Sequence, residues 1–244
     1  MQRGVDRVAA ILLAVGVCVA GCQRYSRKPG DLRIYAAVYD NDIAKVKELL
    51  ARGCDVNAAD SQGMTALCVA VLCESTAMAE VLIAHGAKVD HVTMARAVSG
   101  YGAKPMIDLL LAHGAPAGGS GLVAAVLRDR LDLAEYLISK GADLNAKGID
   151  LSRKGVCADL EEEGSQPLFV AAYETKPKAA ALLLEHGANP NAKDGTGYSC
   201  PGYTAAKMAE ERGDPELIRV FREAKTGSHS SGRPQSRTRP TSGR

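Results

Sequence analysis

The sequence predicts an all-α array of about six short helix-turn-helix units, and three observations carry that reading. Segments of one kind recur as ELLARGCDVNA, EVLIAHGAKVD, DLLLAHGAPAG, EYLISKGADLNA and ALLLEHGANPNA, around Gly53, Gly86, Gly114, Gly141 and Gly187. A helix-opening residue, Thr65, Thr93, Ser120 or Gln166, stands 21 residues before each of the last four of those glycines. Between the two markers run small and apolar residues at helical spacing, in stretches too short to hold a helix alone. Self-similarity at such a period marks stacked units that bury their faces against one another.

One unit can be built from its residues. Thr65 caps a short first helix whose Leu67 and Ala70 face inward, and small residues there let the next layer approach closely. A second helix carries Val81, Leu82 and Ile83 as its apolar face, and Gly86 supplies the left-handed turn that stops it. At about 25 cal/mol per Å² of apolar surface removed from water, the leucine and alanine layers are the main favourable term.

The stretches Thr65-Ala66-Leu67-Cys68-Val69-Ala70 and Gln166-Pro167-Leu168-Phe169-Val170-Ala171 resemble the opening T-P-L-H-x-A of the ankyrin repeat. On these residues the chain is identified as a member of the ankyrin-repeat family over about Asp31 to Ala224. Ala36 and Ala37 fill the small-residue slots of a first unit. Thr204 to Ala209 open a sixth, which Leu217, Ile218, Val220 and Phe221 close. The implied fold is an ankyrin-repeat solenoid of about six units whose outer two act as caps.

The connections depart from the family pattern of 12 residues between the helix-ending Gly and the next opening residue. Gly53 to Thr65 fits; Gly86 to Thr93 and Gly114 to Ser120 are shortened to seven and six. Gly141 to Gln166 and Gly187 to Thr204 are enlarged to 25 and 17, and Gly148, Gly155, Gly164, Gly195, Gly197 and Gly202 mark both as loops. Long loops in a compact array are more often functional or mobile than structural.

Both ends of the chain read as lying outside the array. Arg3 and Arg7 precede a small and apolar run from Val8 to Ala20, too short to span a bilayer, which is the pattern of a secretory signal over residues 1–21. Val19-Ala20-Gly21-Cys22 resembles the bacterial lipobox, which implies cleavage before Cys22 and lipid on its thiol. Each buried CH₂ of such a lipid contributes about 0.8 kcal/mol of membrane affinity. Residues 22–30 then form a tether, and 225–244, rich in Ser, Arg, Gly and Pro, a disordered basic tail. The implied location is the bacterial cell envelope, on the periplasmic or extracellular side. In a Gram-negative cell the Gln23 that follows the cysteine points to the outer membrane.

Composition narrows the chemistry. The 30 basic and 28 acidic residues are mixed along the chain, giving +2 overall and no single-sign field to hold nucleic acid. Without Cys18 and Cys22, five cysteines remain, Cys54, Cys68, Cys73, Cys157 and Cys200; no CxxC occurs and none has a His at metal-ligand spacing, so no metal site is expected. His85, His113 and His186 share one repeat position beside a helix C-terminus, where the helix dipole favours imidazole. No nucleophile setting such as Gly-x-Ser-x-Gly appears, so neither enzymatic activity nor a cofactor is expected. Asp159, Glu161, Glu162 and Glu163 in the fourth connection read first as a solvated loop, with a basic partner or calcium as the alternative.

The resemblance locates partner contacts at the fingers and at the end of each first helix, seven and eight residues after its opening. Those positions hold Tyr39 and Asp40, Leu72, Tyr101, Leu127 and Arg128, and Tyr173 and Glu174. Aromatic anchors near an Arg suit a protein interface. The competing reading is that Leu72 and Leu127 cover the seam between units. The expected function is a monomeric protein-binding scaffold whose partner is another protein. The alternative is a thiol- or redox-linked envelope protein supporting oxidative-stress defence, implied by the five cysteines and by resemblance to family members outside the cytoplasm. Cys157 and Cys200 stand in the added length of adjacent loops, which project side by side in a repeat array. They are expected to form a disulfide in an oxidising compartment, against the alternative of two independent thiols. Mass mapping of the secreted protein, alkylated without reductant, should recover both cysteines in one linked peptide pair; recovery of both as alkylated thiols would reject the bond.

Overall fold

The computed structural model describes residues 31–60, 63–100, 104–148, 164–191 and 203–227. Twelve helices lie among them: α1 (Asp31–Tyr39), α2 (Ile43–Ala51), α3 (Ala66–Leu72), α4 (Thr76–Ala84), α5 (His91–Ser99), α6 (Lys104–Ala112), α7 (Ser120–Leu127), α8 (Leu131–Ser139), α9 (Pro167–Tyr173), α10 (Pro177–Glu185), α11 (Ala205–Arg212) and α12 (Pro215–Gly227). They pair as six first and second helices, as the repeats require. They fall into two compact bodies, one holding α1–α6 up to Pro116 and one holding α7–α12 from Ala117.

Within the first body α1, α3 and α5 stack as a row of first helices, and α2, α4 and α6 as a row of second helices. Ile34, Val38, Leu67, Ala70, Met78, Leu82, Met94, Val98, Ile107 and Leu110 are buried between the rows. The second body repeats this with α7, α9 and α11 against α8, α10 and α12, around Val123, Leu168, Phe169, Leu183, Leu217 and Phe221. Ala171, Ala172, Ala179, Ala180 and Ala209 are almost wholly buried there, which is what lets helix backbones approach so closely.

Helices this short must be stopped sharply, and backbone hydrogen bonds show how. Each of Gly53, Gly86, Gly114, Gly141 and Gly187 adopts a left-handed conformation, with φ between 84° and 93°. At Gly86 its N–H donates to the Ile83 carbonyl while Ala87 donates to Leu82, the double bond that satisfies the last orphan carbonyls of α4. The turn between the two helices of a unit uses the same device without glycine. Asn41, Glu74, Asp129 and Thr175 stand there at φ 51° to 55°, and Gly213 takes the place in the last unit. The left-handed region is open to Asn and Asp but uncommon for a β-branched residue such as Thr175.

Helix starts confirm some expected openings and correct others. Thr65 and Thr204 cap α3 and α11, accepting from the Cys68 and Lys207 N–H groups. Thr93 does not open α5. Asp90 does, its carboxylate accepting at 2.8 Å from the Thr93 N–H and at 2.7 Å from the Thr93 hydroxyl, so the helix begins two residues before Thr93. A carboxylate at the positive end of a helix outcompetes a hydroxyl one turn further in. Ser120 is the buried first residue of α7 rather than its cap; Gly119 precedes it, with no side-chain cap bond. Gln166 precedes α9 without a side-chain cap bond either, and Pro167 supplies the helical φ instead. At the other end α12 runs to Gly227, taking in the first residues that composition assigns to the tail.

Two substitutions test this account by denaturant midpoint. Leu110, which is fully buried, should lose about 2 to 5 kcal/mol as Leu110→Ala. Thr175→Asn should raise stability by about 1 kcal/mol, since Asn enters the left-handed region with less steric conflict. A destabilised Thr175→Asn would mean that the threonine methyl group packs usefully in the turn.

Candidate partner-binding surface

The site residues read from the sequence lie where each first helix gives way to its inner turn. Asp40, Arg128 and Glu174 are exposed, and Tyr39, Leu72, Leu127 and Tyr173 are half-buried. Tyr101, Cys22, Cys157 and Cys200 fall outside the described residues, as do the acidic residues 159–163 and the tail beyond Gly227.

The half-buried members lean towards a neighbouring unit. A side-chain methyl of Leu72 lies where a Cβ on Gly100 would touch it at 3.6 Å, so Leu72 fills room left by a residue without a side chain. Leu127 packs against the second-body core. The guanidinium of Arg212 sits 4.1 Å from the centre of the Tyr173 ring, a cation–π pair joining the fifth unit to the sixth. The Tyr39 hydroxyl is buried and has no hydrogen-bond partner among the described residues, so the part of this half-buried side chain that reaches solvent is not its polar tip. Position seven is thus shared between seam and surface, while position eight projects freely as Asp40, Arg128 and Glu174.

One residue that the spacing did not single out belongs to the same face. Tyr203 precedes the cap of α11 and lies along its exposed side, with Lys207 Nζ 4.2 Å from the ring centre and its hydroxyl donating to the Glu211 carboxylate. That carboxylate holds the phenol proton and raises the Tyr203 pKa above its ordinary value. The signal in the sequence was the spacing Tyr203, Lys207, Glu211, four residues apart on one helical face. At the inner turn of the fourth unit Arg130 is occupied by Asp132, whose carboxyl it holds below the usual range, through contacts of 3.1 and 3.3 Å.

The connections are tied to the array by asparagines. Asn57 donates to the Gly86 carbonyl at 2.9 Å and accepts from the Lys88 N–H at 2.8 Å, bracketing the outer turn of the next unit. Asn145 accepts from the Asn189 N–H at 2.9 Å. Tyr35 on α1 places its hydroxyl 2.7 Å from the Ala58 carbonyl and 2.8 Å from that of Met64, fixing both legs of the first finger.

This geometry of paired helices, glycine-closed outer turns and asparagine-bracketed fingers can be set beside known proteins. The sequence model of the family described as ankyrin repeats, in three copies, matches residues 12–93, 34–148 and 94–194. The chain is an ankyrin-repeat protein. It is 29% identical over 207 residues to the ankyrin repeat protein YahD of Escherichia coli, covering 76% of this chain and 92% of that one. An ankyrin repeat-containing protein of Treponema pallidum is 29% identical over 168 residues, covering 69% of this chain and 45% of the relative. Among solved structures, an ankyrin repeat domain from Acinetobacter baumannii superposes with a TM-score of 0.55 at 26% identity, over 79% of this chain and 97% of that one. The ankyrin repeat domain of Bcl-3, a member of the IkappaB protein family, gives 0.57 at 22% identity, over 78% and 85%. These likenesses establish the ankyrin fold, and ankyrin repeats serve in general to bind other proteins.

As for thiol chemistry, Cys68 is buried inside α3 and Cys73 is half-buried at its end. Burial pushes the Cys73 thiol above its ordinary pKa, which withholds the nucleophilic thiolate. Iodoacetamide should therefore alkylate Cys73 more slowly at pH 8 than it does a cysteine in a short peptide, with the rate rising only at more alkaline pH. A rate exceeding that of the peptide would show an activated thiol and favour the redox reading.

Proposed function

We propose that this ankyrin-repeat chain is a non-enzymatic scaffold held in the bacterial cell envelope by lipid on Cys22, and that it binds a partner protein through the ends of its first helices and its long connections. The observation that carries the reading is the recurring pair at the inner turns. A half-exposed anchor, Tyr39, Leu127 or Tyr173, stands next to an exposed charged group, Asp40, Arg128 or Glu174. Such pairs supply apolar contact with orienting charge, as protein interfaces use them. The left-handed turn behind each pair holds it rigidly, so little order is lost on binding. The scaffold acts as a monomer and needs no cofactor.

The test combines address and binding. Cys22→Ala should leave the protein uncleaved or soluble; the same mature mass in the same membrane fraction would refute lipid attachment. For binding, the lipid-free chain is cross-linked in an envelope extract and the captured protein identified, purified and titrated back. Tyr101→Ala combined with Tyr173→Ala should weaken that titration about tenfold or more, as loss of interface anchors does, with helicity unchanged. Unchanged affinity would remove the first-helix ends from the interface.

A further inference from the structure

We propose that Gly118, Gly119, Gly148 and Gly164 form a neck of bare backbone on which residues 149–163 ride as a separable insertion, so that the second body folds without them. The enlarged fourth connection starts by lying directly on the shortened third one. A Cβ on Gly118 would stand 2.5 Å from the Asp143 carbonyl oxygen, one on Gly119 2.6 Å from that of Lys147, and one on Gly148 2.5 Å from that of Gly119. A Cβ on Gly164 would stand 2.7 Å from the Gly148 carbonyl oxygen. No side chain fits at any of the four positions, and Gly119 is further held at φ 61°, a conformation open to glycine. Three backbone segments therefore meet in direct contact over the start of α7.

The chain's departure and return are joined at the same place. Gly148 and Ser165 exchange two backbone hydrogen bonds, of 3.0 and 3.1 Å, as an antiparallel pair. Gly148, Gly164 and Ser165 are all buried. A loop whose two ends are already held adds only a slowly growing entropic term as it lengthens. The neck thus stands in for the finger that the third connection lacks, and it closes the fourth connection at its base through Gly148 and Ser165 alone.

The experiment is a replacement series read by circular dichroism and thermal melting. Substituting one Asn for residues 149–163 makes Asn-Gly164 a two-residue turn between the paired Gly148 and Ser165, a favoured hairpin sequence. Melted in reductant, so that no Cys157–Cys200 bond contributes to either protein, this variant should keep its helicity and melt within about 3 °C of the full chain, a small change for a chain of this size. A second variant carries about six Gly and Ser residues in the same place, a flexible linker that does not depend on turn type. In the full chain Gly119→Ala and Gly148→Ala should each lower the melting point by about 5 °C or more, while Gly155→Ala leaves it unchanged. Unfolding of both replacement variants would make the insertion part of the fold and overturn the proposal. Melting of Gly119→Ala and Gly148→Ala at the full chain's temperature would overturn it equally, by showing that the neck holds nothing.

Discussion

The fold depends on ending helices early, and ten of the twelve described helices end in the same way, on a left-handed residue. All helices but α12 span only seven to nine residues, too few to be stable alone, and one residue too many would carry the chain past its neighbour. The left-handed residue at these ten stops turns the chain through a fixed angle and satisfies carbonyls that would otherwise be stranded beside the core. Burial of the leucine and alanine layers supplies the driving force, but only because these turns bring successive faces into register. The inner turns achieve this with Asn41, Glu74, Asp129 and Thr175. Side chains that a glycine would lack are thereby offered to solvent beside the candidate binding residues.

The outer turns were the most legible part of the sequence, because glycine there answers a local demand that nothing else meets as well. Thr65 and Thr204 were legible for a similar reason, since an N-cap is decided within four residues. Thr93 and Ser120 were misread by counting back a fixed interval from the following glycine. In both cases the shortened connection moved the N-cap, to Asp90 in one and to Gly119, which has no side chain to cap with, in the other. Asp90, a favoured N-cap residue, was itself a signal that the interval overrode. Gly148 and Gly164 were visible only as loop markers and Gly118 and Gly119 not at all, because their reason is non-local: backbone distant in sequence lies against each of them.

The candidate surface shows the same division between local and non-local causes. That Asp40, Arg128 and Glu174 project into solvent follows from the repeat position alone. That Tyr173 is stacked by Arg212, and Leu72 set against Gly100, depends on which residue the next unit happens to carry. Such side chains serve the array and the surface together: the seam fixes one part of each, and the remainder is presented already ordered. The asparagine brackets at Asn57 and Asn145 recur in the repeated segments as DVNA and DLNA, a regularity whose purpose appears only when one unit is placed beside the next.

Helix α7 shows what such packing does to the freedom of a sequence to change. From Ser120 to Val126 every residue is buried, so each is confined to volumes close to those of Gly, Ala, Ser, Val and Leu. Along this first helix, side chains free to change are therefore confined to the few residues that follow, Leu127 to Arg130. Change at this helix resembles editing a short label on a sealed box: its lettering is free to vary, and its walls are not.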